Sequence, residues 1–316
     1  MNLSSRLPDL WREIRRNRNA YLFIAPFFII FAVFMVFPIV LSLSRSFQDW
    51  NGIMDPRPVG LRNYWRALSD PNLHTAILNT VVFTVVTVSL SATLGLGLAL
   101  FLNSVRFLKR FYRGLFFVPA IVSLVVVSLV WKLILNSELG LTRDILRGIG
   151  QAVAWVSNGP IPEWSLQPLH LLDSEHAIVQ LLTITLVNVW AVVGFNTVIF
   201  LAGLQSIPSH LYEASRIDGA SVFQDFRYIT LPLLRPTTFF VVLMSTIDAL
   251  QVFVLPNVMN RDSEATMTIV YYLYRNAFEY QHMGYASAIA YLLFALTVGL
   301  SLIIRLTLGR NTELAE

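Results

Sequence analysis

Apolar residues in this chain are gathered into blocks. Cut wherever charge vanishes, the sequence yields six of them: 21–44, 76–102, 114–131, 177–204, 236–259 and 285–304. Together they hold 141 residues, and Asp248 is the only formally charged one. A helix needs about 20 apolar residues to cross ~30 Å of hydrocarbon. Each block is therefore predicted as a membrane-spanning helix, the longer ones with tilt or interfacial ends. Helix is required because backbone groups in lipid must be satisfied within the segment, whereas a barrel would show short alternating strands. Six buried core helices of a soluble protein would not recur with this spacing. Pro26 and Pro38 are predicted to kink the first span, since each lacks a backbone donor. The fold class is all-α, with six spans.

Composition agrees. Of 316 residues, 55% are hydrophobic and 13% are charged, against roughly 25% charged in an ordinary soluble domain. That excludes a water-soluble globule. It also excludes a disordered chain, which needs low hydrophobicity and high net charge. With no cysteine, disulfides and thiolate chemistry are excluded too.

The first block also carries features of a signal peptide. Arg12, Arg15, Arg16 and Arg18 precede it, and Ser42-Leu43-Ser44 resembles a small-residue cleavage site. Its apolar stretch is far longer than the usual 7–15 residues, so an uncleaved helix is expected. Upstream, Leu3, Leu7, Leu10 and Ile14 recur at helical spacing beside Trp11 and several arginines. Two readings stand for residues 1–20: a helix lying on the membrane surface, or a basic leader that only sets topology.

Charge sets orientation. Residues 1–20, 103–113, 205–235 and 305–316 contain 14 Lys and Arg; residues 45–75, 132–176 and 260–284 contain 9 in a longer total length. The first set is about twice as dense, and the positive-inside rule makes it cytoplasmic. Both termini are then cytoplasmic. The cluster Arg106, Lys109, Arg110 and Arg113 is the strongest contributor. The expected organisation is a cytoplasmic segment 1–20, a six-span domain 21–308 containing the loop 205–235, and a tail 309–316.

Motifs for soluble chemistry are absent. There is no GxxxxGK[ST] phosphate loop, no HExxH and no GxSxG. Gly95 and Gly97, with Ala99, read as small residues for close helix packing. The five histidines are scattered in predicted loops, and no metal site is expected. No enzyme active site is visible.

The loop between the fourth and fifth spans is different. Ser209 is placed to cap a short helix that ends at Gly219, where a left-handed residue closes the C-terminus. Ser221 then caps a second helix, with Gln224 three residues on completing a capping box. Pro232 and Pro236 are expected to stop that helix before the fifth span. Asp218 and Asp225 lie near the junction. This is a rigid, charged knob, more structured than a connector requires.

The knob resembles the EAA loop of binding-protein-dependent ABC importer permeases. That pattern runs E-A-A, three residues, G, nine residues, I-x-L-P. Here it reads Glu213-Ala214-Ser215, three residues, Gly219, nine residues, Ile229-Thr230-Leu231-Pro232. One position departs, Ser215 for the second alanine. A local alternative for Glu213 is an exposed pair with Arg216, but the whole pattern fits the family. The remainder is similar to sugar permeases of the MalF/UgpA type: Tyr21 through Pro38, Val59-Gly60-Leu61-Arg62-Asn63-Tyr64, Asn79-Thr80, Tyr271-Tyr272-Leu273-Tyr274 and Met283-Gly284-Tyr285-Ala286-Ser287-Ala288. The segment Asn260–Glu264 replaces a Gly-Gly-Pro turn of many relatives, and the stretch Asn136–His176 is long.

The resemblance implies a type I permease fold in a bacterial or archaeal cell (inner) membrane. It implies a heterodimer with a second permease subunit, two ATP-binding subunits carrying ATP and Mg, and an extracytoplasmic sugar-binding protein. The chain itself would bind lipid but no cofactor and no nucleic acid. Glu213, Ala214, Ser215, Asp218, Gly219 and Pro232 would form the coupling element that docks on an ATPase subunit.

Substrate residues are sought among polar groups in the later spans, because transporter sites lie near the bilayer midplane. The candidates are Asn188, Trp190, Asn196, Asp248, Gln251 and Tyr291. An intramembrane carboxylate is a functional candidate by default, although a helix–helix hydrogen bond competes for Asp248. Interhelical hydrogen bonding competes for the two asparagines, and plain packing for Trp190. Spans four to six contain no Lys or Arg, which favours a neutral carbohydrate over a phosphorylated one. The alternative function is a stand-alone secondary transporter or channel for a small polar solute. It would explain six spans but not the knob.

Overall fold

The computed structural model describes residues 18–104, 109–136, 141–157, 159–162, 171–172, 174–261 and 263–309. The expected N-terminal amphipathic segment and Arg106 lie outside them. The described chain is almost entirely helical. Four helical stretches are long and apolar enough to cross a membrane: Tyr21–Ser46, Pro71–Ser104, Ala177–Ser206 and Met283–Gly309. A fifth arises if the bent pair Val222–Leu233 and Arg235–Leu250 is one span.

Two of the predicted spans are broken. The block 114–131 forms α5 (Lys109–Ile121) and α6 (Leu124–Ile134). The helix preceding the break contains Pro119, and a proline removes a backbone donor and clashes with the carbonyl four residues earlier. The block 236–259 forms α12 (Arg235–Leu250) and α13 (Val254–Met259). Pro256 lies in the first turn of α13, where a missing donor is harmless. Apolar composition records that a segment is buried in lipid or protein; it does not record a break inside it.

Two compact units emerge. One comprises the chain up to Ser69 with Asn276–Tyr291; the other comprises Asp70–Arg275 with the chain from Leu292 onward.

In the first unit, α1 (Arg18–Phe31) and α2 (Phe37–Ser46) are joined by a π turn, Ala32–Val36. Pro38 would clash with the carbonyl of Phe34, which lies in that turn. Widening the helix there accommodates the ring. A two-residue hairpin follows, with Gln48 opposite Pro58 and Asp49 opposite Arg57. Asn63, on α3 (Arg62–Ser69), donates to the carbonyls of Ser46 at 2.9 Å and Gln48 at 3.0 Å. It thereby satisfies acceptors left open at the end of α2. The hydroxyls of Ser46 and Tyr64 meet at 2.7 Å. Gly284, at the start of α15 (Met283–Ile304), lies so close to the Gln48 carbonyl that a Cβ would collide with it. Its N–H donates to Trp50 at 3.0 Å. The motifs 59–64 and 283–288 therefore hold one hairpin in place.

The second unit is built on α4 (Pro71–Ser104) packed along α8 (Ala177–Ser206). A Cβ on Gly95 would stand 3.0 Å from that of Asn196, and Ala99 is fully buried. Gly97, by contrast, faces open space, which corrects its assignment to the packing seam. Within this unit the most constrained glycine is Gly194, where a Cβ would collide with the Phe116 carbonyl of α5. One apolar cluster gathers Phe83, Ile184, Leu181, Leu255 and Met259; a second gathers Leu102, Phe200, Leu201, Leu234 and Val241.

Asn79 and Thr80 of α4 pin the segment leading to α14 (Ile269–Tyr274). The Asn79 amide donates to the carbonyls of Glu264 and Met267 at 3.2 and 3.0 Å, and Ile269 N–H donates to Thr80 Oγ1 at 2.9 Å. The departing segment after Asn260 is held by Gln180 instead of a glycine turn. Gln180 Oε1 accepts from Asn260 at 2.7 Å and from Ser263 at 2.6 Å. The stretch after Asn136 contains an amphipathic helix, α7 (Leu141–Ser157).

Candidate functional site

Two sites can be built within the second unit. The first is the knob. α9 (Ser209–Ile217) is preceded by Pro208, which occupies the capping position in an extended conformation. Ser209 is therefore the first helical residue and does not cap. A proline is well suited just before a helix, where no backbone donor is required of it. The C-terminus closes as expected. Gly219 adopts φ +76°; its N–H donates to the Arg216 carbonyl at 3.2 Å, and that of Ala220 to the Ser215 carbonyl at 2.9 Å. This pair of bonds is the Schellman closure, and the left-handed residue it needs is most cheaply glycine. Ser221 and Gln224 form the capping box of α10 (Val222–Gln224).

The second helix of the knob is not stopped by Pro232. It widens into a π turn, Asp225–Thr230, and continues through α11 (Leu231–Leu233) before bending by 64° into α12. The π turn covers Tyr228, the residue whose carbonyl Pro232 would strike, as Phe34 is covered ahead of Pro38. Pro236 sits in the first turn of α12. The two arms of the knob are tied by Tyr212 and Thr230, whose hydroxyls lie 2.9 Å apart. Ser215 folds its hydroxyl back onto the Tyr212 carbonyl at 3.0 Å, so it occupies the alanine position without leaving a polar group unpaired. Glu213, Ala214, Asp218 and Gly219 are exposed and Pro232 is half-buried. Ile217 (87% exposed), Val222 (86%) and Phe223 (72%) project beside them. Such an apolar group around a charged turn marks an interaction surface. Between the arms lies a cavity of about 920 Å³, with Glu213, Arg216, Tyr212 and Phe223 in its lining.

The second site is a cavity of about 400 Å³ between α4, α5, α6, α8 and α12. Four of the six substrate candidates line it: Asn188, Asn196, Asp248 and Gln251. Trp190 does not. It packs edge-on against Trp131 with centroids 5.6 Å apart. Tyr291 lies in the first unit, where its hydroxyl meets the Ile39 carbonyl and Ser42 Oγ. Spacing alone could not separate these, because span and face do not reveal which helices converge.

Both interrupted apolar blocks place their breaks at this cavity. Ala120 and Leu124 flank the first break, and Gln251, Val252, Phe253 and Val254 form the second. Irregular backbone at membrane depth is tolerated where it lines a cavity or is buried in protein. Transporter sites are typically assembled from such discontinuous helices. Among the polar candidates, Asn196 donates to Ser91 at 3.1 Å and Ser245 at 3.2 Å, which ties α8 to α4 and α12. Its amide nitrogen is thus committed to helix packing. Thr87, which its sequence context does not single out, also lines the cavity, and its hydroxyl is buried with no partner among the described residues. Phe195 and Phe253 supply aromatic surface. The lining contains one carboxylate and no cation. Such a site can hydrogen-bond hydroxyls and stack a ring; among the described residues, no group of ligands could hold a metal ion.

A family model for binding-protein-dependent transport system inner membrane components matches residues 91–308. The arabinooligosaccharides transport system permease protein AraP of Bacillus subtilis (strain 168) is 35% identical over 303 residues, covering 93% of this chain and 90% of that protein. The trehalose/maltose transport system permease protein MalF of Thermococcus litoralis is 33% identical over 317 residues, covering 98% of both. In structure, the chain shares the fold of a chain in a bacterial ABC transporter involved in import of the acidic polysaccharide alginate. The TM-score is 0.79 at 20% identity, over 96% of this chain and 99% of that one. A second alginate ABC transporter structure, in complex with an alginate pentasaccharide-bound periplasmic protein, matches with a TM-score of 0.77. From the knob's pattern to the length of its relatives, the observations agree, and the chain belongs to the family of binding-protein-dependent transport system inner membrane components.

Proposed function

We propose that this chain is the membrane-spanning subunit of a sugar importer, with six spans, both termini in the cytoplasm and the knob 205–235 docking on an ATP-hydrolysing subunit. A second, similar permease subunit completes the pathway, two ATPase subunits supply ATP and Mg, and an external binding protein delivers the sugar. The observation that carries the coupling role is the closed turn at Gly219, which fixes Glu213 and Asp218 beside the exposed Ile217, Val222 and Phe223. A rigid lever transmits displacement; a flexible connector would absorb it. ATP binding draws the ATPase subunits together, the knob moves with them, and the cavity reopens on the other side.

The cavity at Asn188, Asp248, Gln251 and Thr87 is the translocation site in this reading. Its lining favours a neutral saccharide: a single carboxylate with no Lys or Arg repels an anion that has lost its water. Relatives named for arabinooligosaccharides and trehalose/maltose agree with a neutral substrate.

The test is made on the tagged chain, coexpressed with its partners and purified gently. Native chain is expected to carry an ATPase whose activity rises with loaded binding protein. Gly219→Val forces a β-branched residue into the left-handed region, and combined with Glu213→Ala it should abolish stimulation and uptake. Normal sugar uptake by the double variant at normal expression would exclude the coupling role. Uptake that persists without ATP and collapses with the ion gradient would favour a secondary transporter.

A further inference from the structure

A third cavity, of about 320 Å³, lies where the bent helix pair meets the end of the last helix. It is lined by Arg227, Leu231, Pro232, Arg235, Thr238, Thr307 and Leu308. Two arginines line this space, and no carboxylate among the described residues does. Two arginines on one cavity make its potential positive, which favours an anion there. Both arginines are exposed. Arg227 also stands 5.9 Å from the Tyr228 ring centroid, too loose a contact to neutralise its charge. Guanidinium forks match phosphate oxygens in geometry as well as charge, and Thr238 adds a hydroxyl to the same wall, whereas the Thr307 hydroxyl donates to the Ile303 carbonyl at 2.9 Å.

Position decides the source of the anion. Arg235 is the first residue of α12, whose apolar body follows at once. Thr307 and Leu308 belong to the final turn Arg305–Gly309, at the other end of an apolar helix. Both walls are therefore ends of membrane-crossing segments, at the level of lipid headgroups, and Leu231, Pro232 and Leu308 offer an apolar side to a glycerol backbone. Basic pockets between spans on the cytoplasmic side are suited to anionic headgroups. We propose that Arg227 and Arg235, with Thr238 beside them, bind the phosphate of an anionic phospholipid in the cytoplasmic leaflet, fastening the base of the knob to the bilayer. The leaflet rests on the topology proposed above.

The assembled transporter is purified into nanodiscs containing equal parts of phosphatidylglycerol and phosphatidylcholine, and retained lipid is read by native mass spectrometry after extraction into mild detergent. Native protein should retain phosphatidylglycerol in preference to phosphatidylcholine. Arg227→Gln with Arg235→Gln should weaken retention about tenfold or more. Arg227→Lys with Arg235→Lys, which keeps the charge, should fold normally and retain an intermediate amount. Arg305→Gln removes a nearby charge that does not line the cavity and should change little. Equal loss in Arg305→Gln would reveal a diffuse surface attraction, and unchanged retention in the double Gln variant would remove the site; either result overturns the proposal. Complete displacement by millimolar glycerol 3-phosphate would mean a site for a free anion and would overturn the lipid assignment. Should Gly219→Val leave uptake intact while lipid retention behaves as expected, the coupling reading falls and the lipid site stands. The reverse pattern removes only the lipid site.

Discussion

Asp248 is the one charge among the 141 residues of the six apolar blocks, and the described residues lining its cavity include no cation to pair with it. A carboxylate kept there without an ionic partner is placed for hydroxyl donors from a sugar. Hydrogen bonds to charged groups contribute about 1.5–3 kcal/mol, so Asp248→Ala should reduce sugar uptake at low substrate roughly tenfold to a hundredfold. Basal ATP hydrolysis should be unaffected, and Asp248→Asn, which keeps an acceptor, should fall between. Equal uptake by all three proteins would return Asp248 to a purely structural role. The reading is sharper than sequence permits. In sequence, packing competes for Trp190 and helix–helix hydrogen bonding for Asn188 and Asn196; the structure sends Trp190 against Trp131 and engages the Asn196 amide with Ser91 and Ser245. It also brings in Thr87, which no pattern signalled, because it is one of several hydroxyl residues in its run, alongside Thr80, Thr84, Ser91 and Thr93, and such residues usually bond back to their own helix.

Elements were legible where local chemistry decides them. Gly219 and the Ser221–Gln224 capping box appear where their residue types demand, because each closes a helix end with bonds spanning only a few residues. The breaks at Val122–Ser123 and Gln251–Phe253 were not legible, because hydropathy averages over them. Close packing was legible only in part. Gly95 and Gly97 look alike in sequence, yet one meets Asn196 and the other nothing. A paired measurement separates the roles. Gly97→Ala should leave thermal stability unchanged or raise it by up to about 1 kcal/mol, since alanine is the better helix former and nothing obstructs its methyl. Gly194→Ala should lower the melting temperature by several degrees, because the new Cβ collides with the Phe116 carbonyl and α5 must retreat. Intrinsic-fluorescence melting of the purified assembly reads both. Equal behaviour of the two variants would show that α5 and α8 are not in close register at Gly194.

At the scale of the whole molecule, the exposed apolar surface is itself informative. Within the first helical stretch, Tyr21–Ser46, Phe23, Phe27, Phe34 and many neighbours are exposed, a surface that suits lipid. Which loops face which side is a question of charge density, and it can be asked at one place in each compact unit. The hairpin loop near Ile53 belongs to the first unit and the knob near Ser221 to the second. The positive-inside rule sends them to opposite faces. Because the chain contains no cysteine, single-cysteine variants give an unambiguous signal. Ile53→Cys is highly exposed and outside the hairpin strands, so substitution there should not disturb the fold. Ala214→Cys in the knob is likewise exposed and replaces one small residue by another. A membrane-impermeant thiol reagent added to intact cells should label Ile53→Cys and spare Ala214→Cys, which should react only after permeabilisation. Labelling of both from outside would require an odd number of crossings to be lost between them and would break the six-span topology. The opposite pattern would keep the spans and invert the molecule, leaving the knob outside and unable to reach any ATPase.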